Sequence, residues 1–382
     1  MLPTTTIAAR PAAFLPCMWP SLLIQTRTRY RGGMHLRSFV PSRVLVAFGI
    51  LVIAAALAAC SGWRAAPSPA GPPQVHKIAI AYDISGRGDG GFNDIAYNGA
   101  KQAAAELGIE LKEVTARPDD TDDDRAERLR LLARAGYDAI IAVGFTYAGP
   151  LQAVALEFPA TKFAIVDDGT VDAPNVQDIL FAEHEGSFLV GVAAGLKTTT
   201  GTVGFIGAVQ IPLLQKFEAG FTAGVHAANP AAKVQVTYLS QPPDYSGFGD
   251  PPHGKEAALG MYDNGVDIIF AAAGGSGSGV HEAAAQTGHW SIGVDADEYL
   301  LAPEAVRGHI LTSMLKNANV GTAGFVGDAA GFAFKPGIHT FGLANGGVGY
   351  ATSGGFIDDI TAQIDAYAAK IVAGTIVVPE TP

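Results

Sequence analysis

Four short stretches of this chain place chemically useful residues beside glycine-rich turns. The first, Tyr82–Gly99, reads Tyr-Asp-Ile-Ser-Gly-Arg-Gly-Asp-Gly-Gly-Phe-Asn-Asp-Ile-Ala-Tyr-Asn-Gly. Asp83 closes an apolar run, a glycine-rich loop carrying Asp89 follows, and Phe92-Asn93 opens a helical pattern. The loop lacks the Gly-Lys-Ser/Thr ending with which a P-loop holds a triphosphate, and Asp83 and Asp89 would repel phosphate. Phe92 either staples the helix to a core or faces a ligand. In Gly207–Gly224, Phe217 and Phe221 lie one helical turn apart and share a face, and one of them is expected in the core. Gly274–Gly279 (Gly-Gly-Ser-Gly-Ser-Gly) is either a plain turn or one where the backbone, at Gly275, approaches a ligand closely. Gly293-Val294-Asp295-Ala296-Asp297 sets two carboxylates just past a buried strand. A carboxylate there can accept both hydroxyls of a vicinal diol, or simply sit solvated in a turn. Lys316 ends another apolar run, as a surface lysine or as a contact for a ligand.

Covalent chemistry finds less support. The nine histidines show no metal-ligand spacing, the two cysteines form no zinc motif, and no Gly-x-Ser-x-Gly elbow is present. The acids beyond the strands leave one hydrolytic alternative open, a carboxylate cluster of the kind calcium-dependent nucleoside hydrolases use.

The elements that must position these residues alternate along the chain. Lys77–Asp83, Leu111–Thr115, Ala139–Val143 and Phe163–Val166 read as strands, with helices over Asn93–Leu107, Asp122–Ala135 and about Leu151–Phe158. The alternation restarts with strands Val203–Gly207, Val234–Leu239, Ile268–Ala273 and Ile292–Val294, and helices Pro212–Ala228, Gly254–Asn264 and Gly279–Gln286. Strands alternating with helices predict parallel sheets covered on both faces, and two such runs predict two doubly wound lobes. Ligands of doubly wound sheets bind beyond the carboxyl ends of the strands. Asp83, Gly144, Gly207, Gly274 and Asp295 all fall at such ends, so a cleft lined from both lobes is the default site.

The first 59 residues carry six arginines and no acid, whereas the body is acidic, within a chain of 382 residues with 25 Lys+Arg and 36 Asp+Glu. An acidic body argues against binding to a phosphate backbone. Val44–Ala59 is an apolar run of 16 residues, short for a permanent membrane span, and follows Arg37 and Arg43. It reads as a secretory signal (residues 1–59, with Met34 a candidate true start). Its ending, Leu57-Ala58-Ala59-Cys60, resembles a bacterial lipobox, which makes Cys60 the lipidation site and places the mature protein on the extracytoplasmic face of the cell membrane. Residues 60–76, rich in Pro, Ala and Gly, read as a flexible tether. Loss of Cys17 with the leader leaves a single cysteine and no intramolecular disulfide.

Several segments, in order, resemble the basic membrane protein family of ABC-transporter substrate-binding lipoproteins, which includes purine nucleoside receptors. They are Gly91-Phe92-Asn93-Asp94, Phe181–Phe188, Val203–Phe221, Gly247–Lys255, Ala271–Gly279, Gly293–Asp297 and Ser313–Asn317. The resemblance implies a type I periplasmic-binding-protein fold with a three-crossing hinge: one lobe from residues 77–182 plus 315–337, the other from 183–314 plus 338–382. Crossings are then expected near Ala182, Leu315 and Gly337. It implies a monomeric receptor without enzymatic activity or cofactor, which captures a nucleoside and delivers it to an ABC permease and its ATPase. A sensor lipoprotein without a permease is the alternative. Carried residue by residue, it makes Phe92 and Phe217 a stacking pair, one from each lobe. Asn93 and Asp83 then face the base edge or the first-lobe wall, Asp295 and Lys316 hold the ribose near the Gly275 backbone, and Asp89 is a further contact. Where the family commonly carries an aspartate after the strand ending at Gly144, this chain has Phe145-Thr146-Tyr147-Ala148-Gly149-Pro150 and no acid.

Overall fold

In the computed structural model the described residues are 75–382, apart from 83, 85, 118, 119 and 332; the leader, the tether up to residue 74 (Cys60 included) and Asp83 lie outside them. Apolar runs become buried parallel strands. In the first half of the chain these are β1 (Lys77–Tyr82), β2 (Glu110–Val114), β3 (Ala139–Val143), β4 (Lys162–Val166) and β5 (Val176–Phe181). In the second half they are β6 (Thr202–Val209), β7 (Lys233–Ser240), β8 (Ile268–Ala272), β9 (Trp290–Asp295) and β10 (Ile310–Lys316). Two late strands, β11 (Gly337–Phe341) and β12 (Val348–Tyr350), return to the edges. The strand orders are β11-β5-β4-β3-β1-β2 and β12-β10-β9-β8-β6-β7. The second order reproduces the first when β6 to β10 are matched to β1, β2, β3, β4 and β5 in turn. Among the described residues all strand pairings are parallel except β10 with β12. Every residue of β3 and of β8 is buried, as expected for strands covered on both faces. This is the type I periplasmic-binding-protein fold.

The chain passes between the sheets three times. It leaves the first after Phe181 into the helix Glu183–Lys197, and returns through Asn317 into the helix Ala318–Gly331, which packs against the helix Phe92–Leu107. The last passage differs from expectation: Gly337–Phe341 pairs in register with Gln177–Phe181 of the first sheet. The expected crossing near Gly337 therefore falls after Phe341, and the one expected near Leu315 falls after Lys316. The reason is pairing, because each strand runs its full ladder before the chain leaves its sheet. The passages are tied together: Ala182 N donates to Phe341 O (2.9 Å) and Asn317 N to Gly347 O (2.8 Å), and Leu343 N donates to a Glu185 carboxylate oxygen (2.8 Å).

Close helix packing sets the height of the cleft wall in the second lobe. The helix Pro212–Ala228 lies against Glu183–Lys197 through glycines: a Cβ at Gly220 would come within 2.1 Å of His184 O, and one at Gly224 within 2.0 Å of Phe188 O. Only residues without side chains permit that approach, and it places Phe217 one turn before Phe221 on the cleft side.

Candidate functional site

Between the carboxyl ends of the two sheets lies a cavity of about 340 Å³, lined from one lobe by Asp89, Phe92, Asn93, Phe145 and Asp167 and from the other by Phe217, Phe248, Gly275, Asp295 and Lys316, among others. Seven of the eight ligand-site residues expected from sequence line it; Asp83 lies outside the described residues.

The glycine-rich loop is held rigid by its own acids. Asp89 accepts from the backbone N–H groups of Gly91 (3.1 Å), Asn93 (2.9 Å) and Asp94 (3.2 Å), donors that the start of a helix leaves unpaired. Asp94 accepts from Gly88 N (3.2 Å) and Gly90 N (2.9 Å). Gly88 and Gly90 have φ of 92° and 64°, which only glycine adopts freely. Asp89 is thus largely spent as a cap. Asn93, buried behind it, donates through Nδ2 to Ile84 O (3.1 Å) and to Asp89 (3.0 Å). Its Oδ1 is buried with no partner among the described residues, leaving one acceptor at the cavity wall.

Lys316, the last residue of β10, occupies the centre of the hinge side. Its ammonium donates to Asp167 Oδ2 (2.6 Å) and lies 3.1 Å from Glu183 Oε1, with all three side chains almost fully buried. It also sits 5.0 Å from the ring centroid of Phe92, 5.3 Å from that of Phe181 and 5.7 Å from that of Phe217, within cation–π range. Asp167 stands just past β4 and Asp295 closes β9, and among the described residues these two are the non-glycine residues with positive φ, 72° and 64°. Three carboxylates (Asp167, Glu183, Asp295) therefore surround one ammonium. Burial would lower the Lys316 pKa, but the three negative charges outweigh it and hold the group firmly charged. Burial pushes Asp295 up to about 7 against the pull of Lys316, with Asp167, Asp89 and Glu298 adding to the rise. Asp167 is pushed up to about 6 by burial, opposed by Lys316 and reinforced by Glu183. Unlike Asp167, the Asp295 carboxylate has no hydrogen bond or ion pair among the described residues, so it is the surplus charge of the cluster.

The strand end that carries Asp295 is buttressed from below. Glu298 accepts from Val294 N (3.0 Å), its own N–H donates to Ser313 Oγ (3.1 Å), and its carboxylate meets buried His281, whose other ring nitrogen lies 2.8 Å from Ser291 Oγ. Asp297, the second acid of that motif, pairs with Ser353 Oγ (2.6 Å) and does not line the cavity. Phe217 and Phe221 are both buried, and of the two only Phe217 reaches the cavity. Gln210 accepts from Gln241 (2.9 Å) outside the cavity lining. Asp167 and Glu183 were not anticipated. Asp167 had a readable signal, an acid just past an apolar strand, the same feature that singled out Asp295. Glu183 had none, since only the fold brings it to Lys316.

Two lobes joined by three crossings, with a cleft at the strand ends and aromatic and charged residues converging from both sides, define a receptor that captures a small solute. Residues 76–382 match the family model of PnrA-like ABC transporter substrate-binding proteins, and the chain belongs to that family. It is 30% identical over 348 residues (86% of this chain, 96% of the relative) to the ABC transporter nucleoside-binding protein BmpA of Lactococcus lactis. It is 33% identical over 312 residues (78% and 75%) to an uncharacterized lipoprotein of Pyrococcus horikoshii. Among solved structures, a solute-binding protein of an ABC transporter system from Aeropyrum pernix superposes with a TM-score of 0.68 at 29% identity, covering 80% of this chain and 94% of that one.

Proposed function

We propose that this substrate-binding protein is a lipid-anchored, extracytoplasmic receptor whose cleft closes on a nucleoside, a purine nucleoside first, for delivery to an ABC permease. The observation that carries this reading is the pairing of Phe92 from one lobe with Phe217 from the other, both within 6 Å of the Lys316 ammonium, beside an unpaired carboxylate at Asp295. Two aromatic walls suit a flat base, at roughly 1–3 kcal/mol per stacked base, and an acceptor-only carboxylate suits a ribose diol. Asn93 Oδ1 offers an acceptor to a base N–H. The cavity lies at the small end of the range for small-molecule sites, about 300–1,000 Å³, which suits a single nucleoside better than an oligomer. The nucleoside-binding relative from Lactococcus lactis supports the ligand class, and the lipoprotein from Pyrococcus horikoshii supports anchoring through Cys60. Hinge closure requires no covalent step, because ligand favours the closed state through contacts made to both lobes at once.

The test is a thermal-shift panel of purine and pyrimidine nucleosides, free bases, sugars and amino acids, followed by calorimetry and chromatography of the leading compound. The expected outcome is a midpoint rise with nucleosides, one-to-one binding, and recovery of the nucleoside intact. A response confined to another solute class overturns the ligand, and release of free base overturns the receptor reading.

A further inference from the structure

The outer end of the cleft, away from Lys316, is closed by aromatic rings that reach across from lobe to lobe. Phe145 of the first lobe packs on Tyr245 and Phe248 of the second, with centroids 5.6 and 6.3 Å apart and tilted planes. Both mounts are stiff. Phe145 follows Gly144, whose φ is 108°, and shares its single turn with fully buried Tyr147, whose hydroxyl donates to Tyr82 O (3.2 Å) and accepts from Arg128 (2.9 Å). On the other side Ser276 Oγ donates to Gly247 O (2.7 Å) and accepts from Asp250 N (2.7 Å), pinning the Phe248 loop onto the turn at Gly274. Because neither mount can follow the other, the ring contact exists only at one angle between the lobes. A second rim contact lies elsewhere, where Gly90 of the first lobe faces Leu301 of the second: a Cβ at Gly90 would lie 3.6 Å from Leu301 Cδ1.

We propose that Phe145, Tyr245 and Phe248 form an aromatic latch that holds the lobes together without ligand, and so sets the affinity of the receptor through its open–closed balance. Phe145 and Phe248 also line the cavity, whereas Tyr245 does not. Tyr245 is therefore the residue through which the latch can be altered without touching the ligand surface. An aromatic pair of this geometry shifts the balance about two- to tenfold. Binding to a state that is only partly populated weakens apparent affinity by that fraction, and a latch that favours the closed state reduces the loss.

The experiment is hydrogen–deuterium exchange on the ligand-free full chain, comparing wild type with Tyr245→Ala and Tyr245→Phe. Tyr245→Ala is expected to raise exchange about two- to tenfold in residues 144–148 and also in residues 88–92, which lie apart from the latch and face the second lobe at Leu301 and Lys316. Tyr245→Phe, which keeps the ring, is expected to match wild type. Unchanged exchange, a rise confined to residues 144–148, or equal effects from the two variants would overturn the latch. No ligand is present, so the outcome does not depend on the nucleoside reading.

Discussion

If Asp295 holds the diol as proposed, ligand capture is coupled to proton release, and this gives a quantitative test. In the empty cleft Asp295 titrates near pH 7 because burial and its acidic neighbours outweigh Lys316. Its folded pKa lies above that of an unfolded Asp, so it contributes stability below about pH 4, and that contribution is lost as pH rises through 7. A diol donating two hydroxyls to the ionised carboxylate lowers its pKa again and displaces the proton. Kd is then flat above pH 7 and rises by up to tenfold per unit below it. Between pH 7.5 and 5.5 the expected loss of affinity is about 25-fold for a site of pKa near 7. Calorimetry with the leading nucleoside in buffers of different ionisation enthalpy reads both the Kd profile and the proton released. Asp295→Asn should bind more weakly and lose the wild-type slope, any remaining change being centred near pH 6, where Asp167 titrates. A wild-type Kd that stays level from pH 7.5 to 5.5, or an Asn variant that keeps the full wild-type profile, would refute the assignment of Asp295 as the diol acceptor.

Phe92→Ala should weaken nucleoside binding roughly tenfold or more with little change in Tm, as the ring is only half-buried at the cleft wall. Phe217→Ala should do the same but also cost about 3–5 kcal/mol of stability, because that ring is buried against Phe270; urea titration separates the two effects. Lys316→Met leaves buried Asp167 without its ion-pair partner and Glu183 with only Lys216, 3.9 Å away, and should destabilise the fold by about 3–5 kcal/mol, with partial recovery in Lys316→Met/Asp167→Asn. Cys60→Ser should abolish incorporation of labelled fatty acid and release the protein from the membrane fraction, while the purified variant binds ligand as wild type does.

Eight strands, β1 to β4 and β6 to β9, were legible in the sequence, the partly exposed edge strands β2 and β7 among them. β5 was not, because Gln177 and Asp178 interrupt Val176–Phe181 with polar side chains that the fold nevertheless buries. Burial raises the pKa of Asp178 to about 6, with Asp168 adding to the rise and His339 opposing it. The site was legible where chemistry is local, as at Phe92-Asn93 and Asp295. It was not legible where chemistry is made by convergence: Lys316 lies 149 residues from Asp167, and no spacing rule joins them.

That convergence follows from the repeat of the two lobes and its one break. Asp167 and Asp295 occupy matching places at the carboxyl ends of β4 and β9, each turning through positive φ to aim a carboxylate at the cleft. By register, the residue of the first sheet that matches Lys316 is Phe181, since Leu315 pairs with Asp295 while Val166 pairs with Ile179. One lobe thus supplies a cation where the other supplies the ring beneath it, 5.3 Å away. The single ammonium can satisfy only part of a duplicated pair of acids. Asp167 takes it and ties the lobes at the hinge, and Asp295 is left unpaired at the cavity. Had the first lobe kept a lysine at 181, both acids would be paired and the cleft would hold no free carboxylate. A Phe181→Lys substitution should accordingly return the Asp295 pKa toward the usual carboxylate range, flatten the pH dependence of binding above pH 6, and weaken ribonucleosides more than their 2′-deoxy counterparts. A pH profile like that of wild type in this variant would show that the broken symmetry is not what frees Asp295.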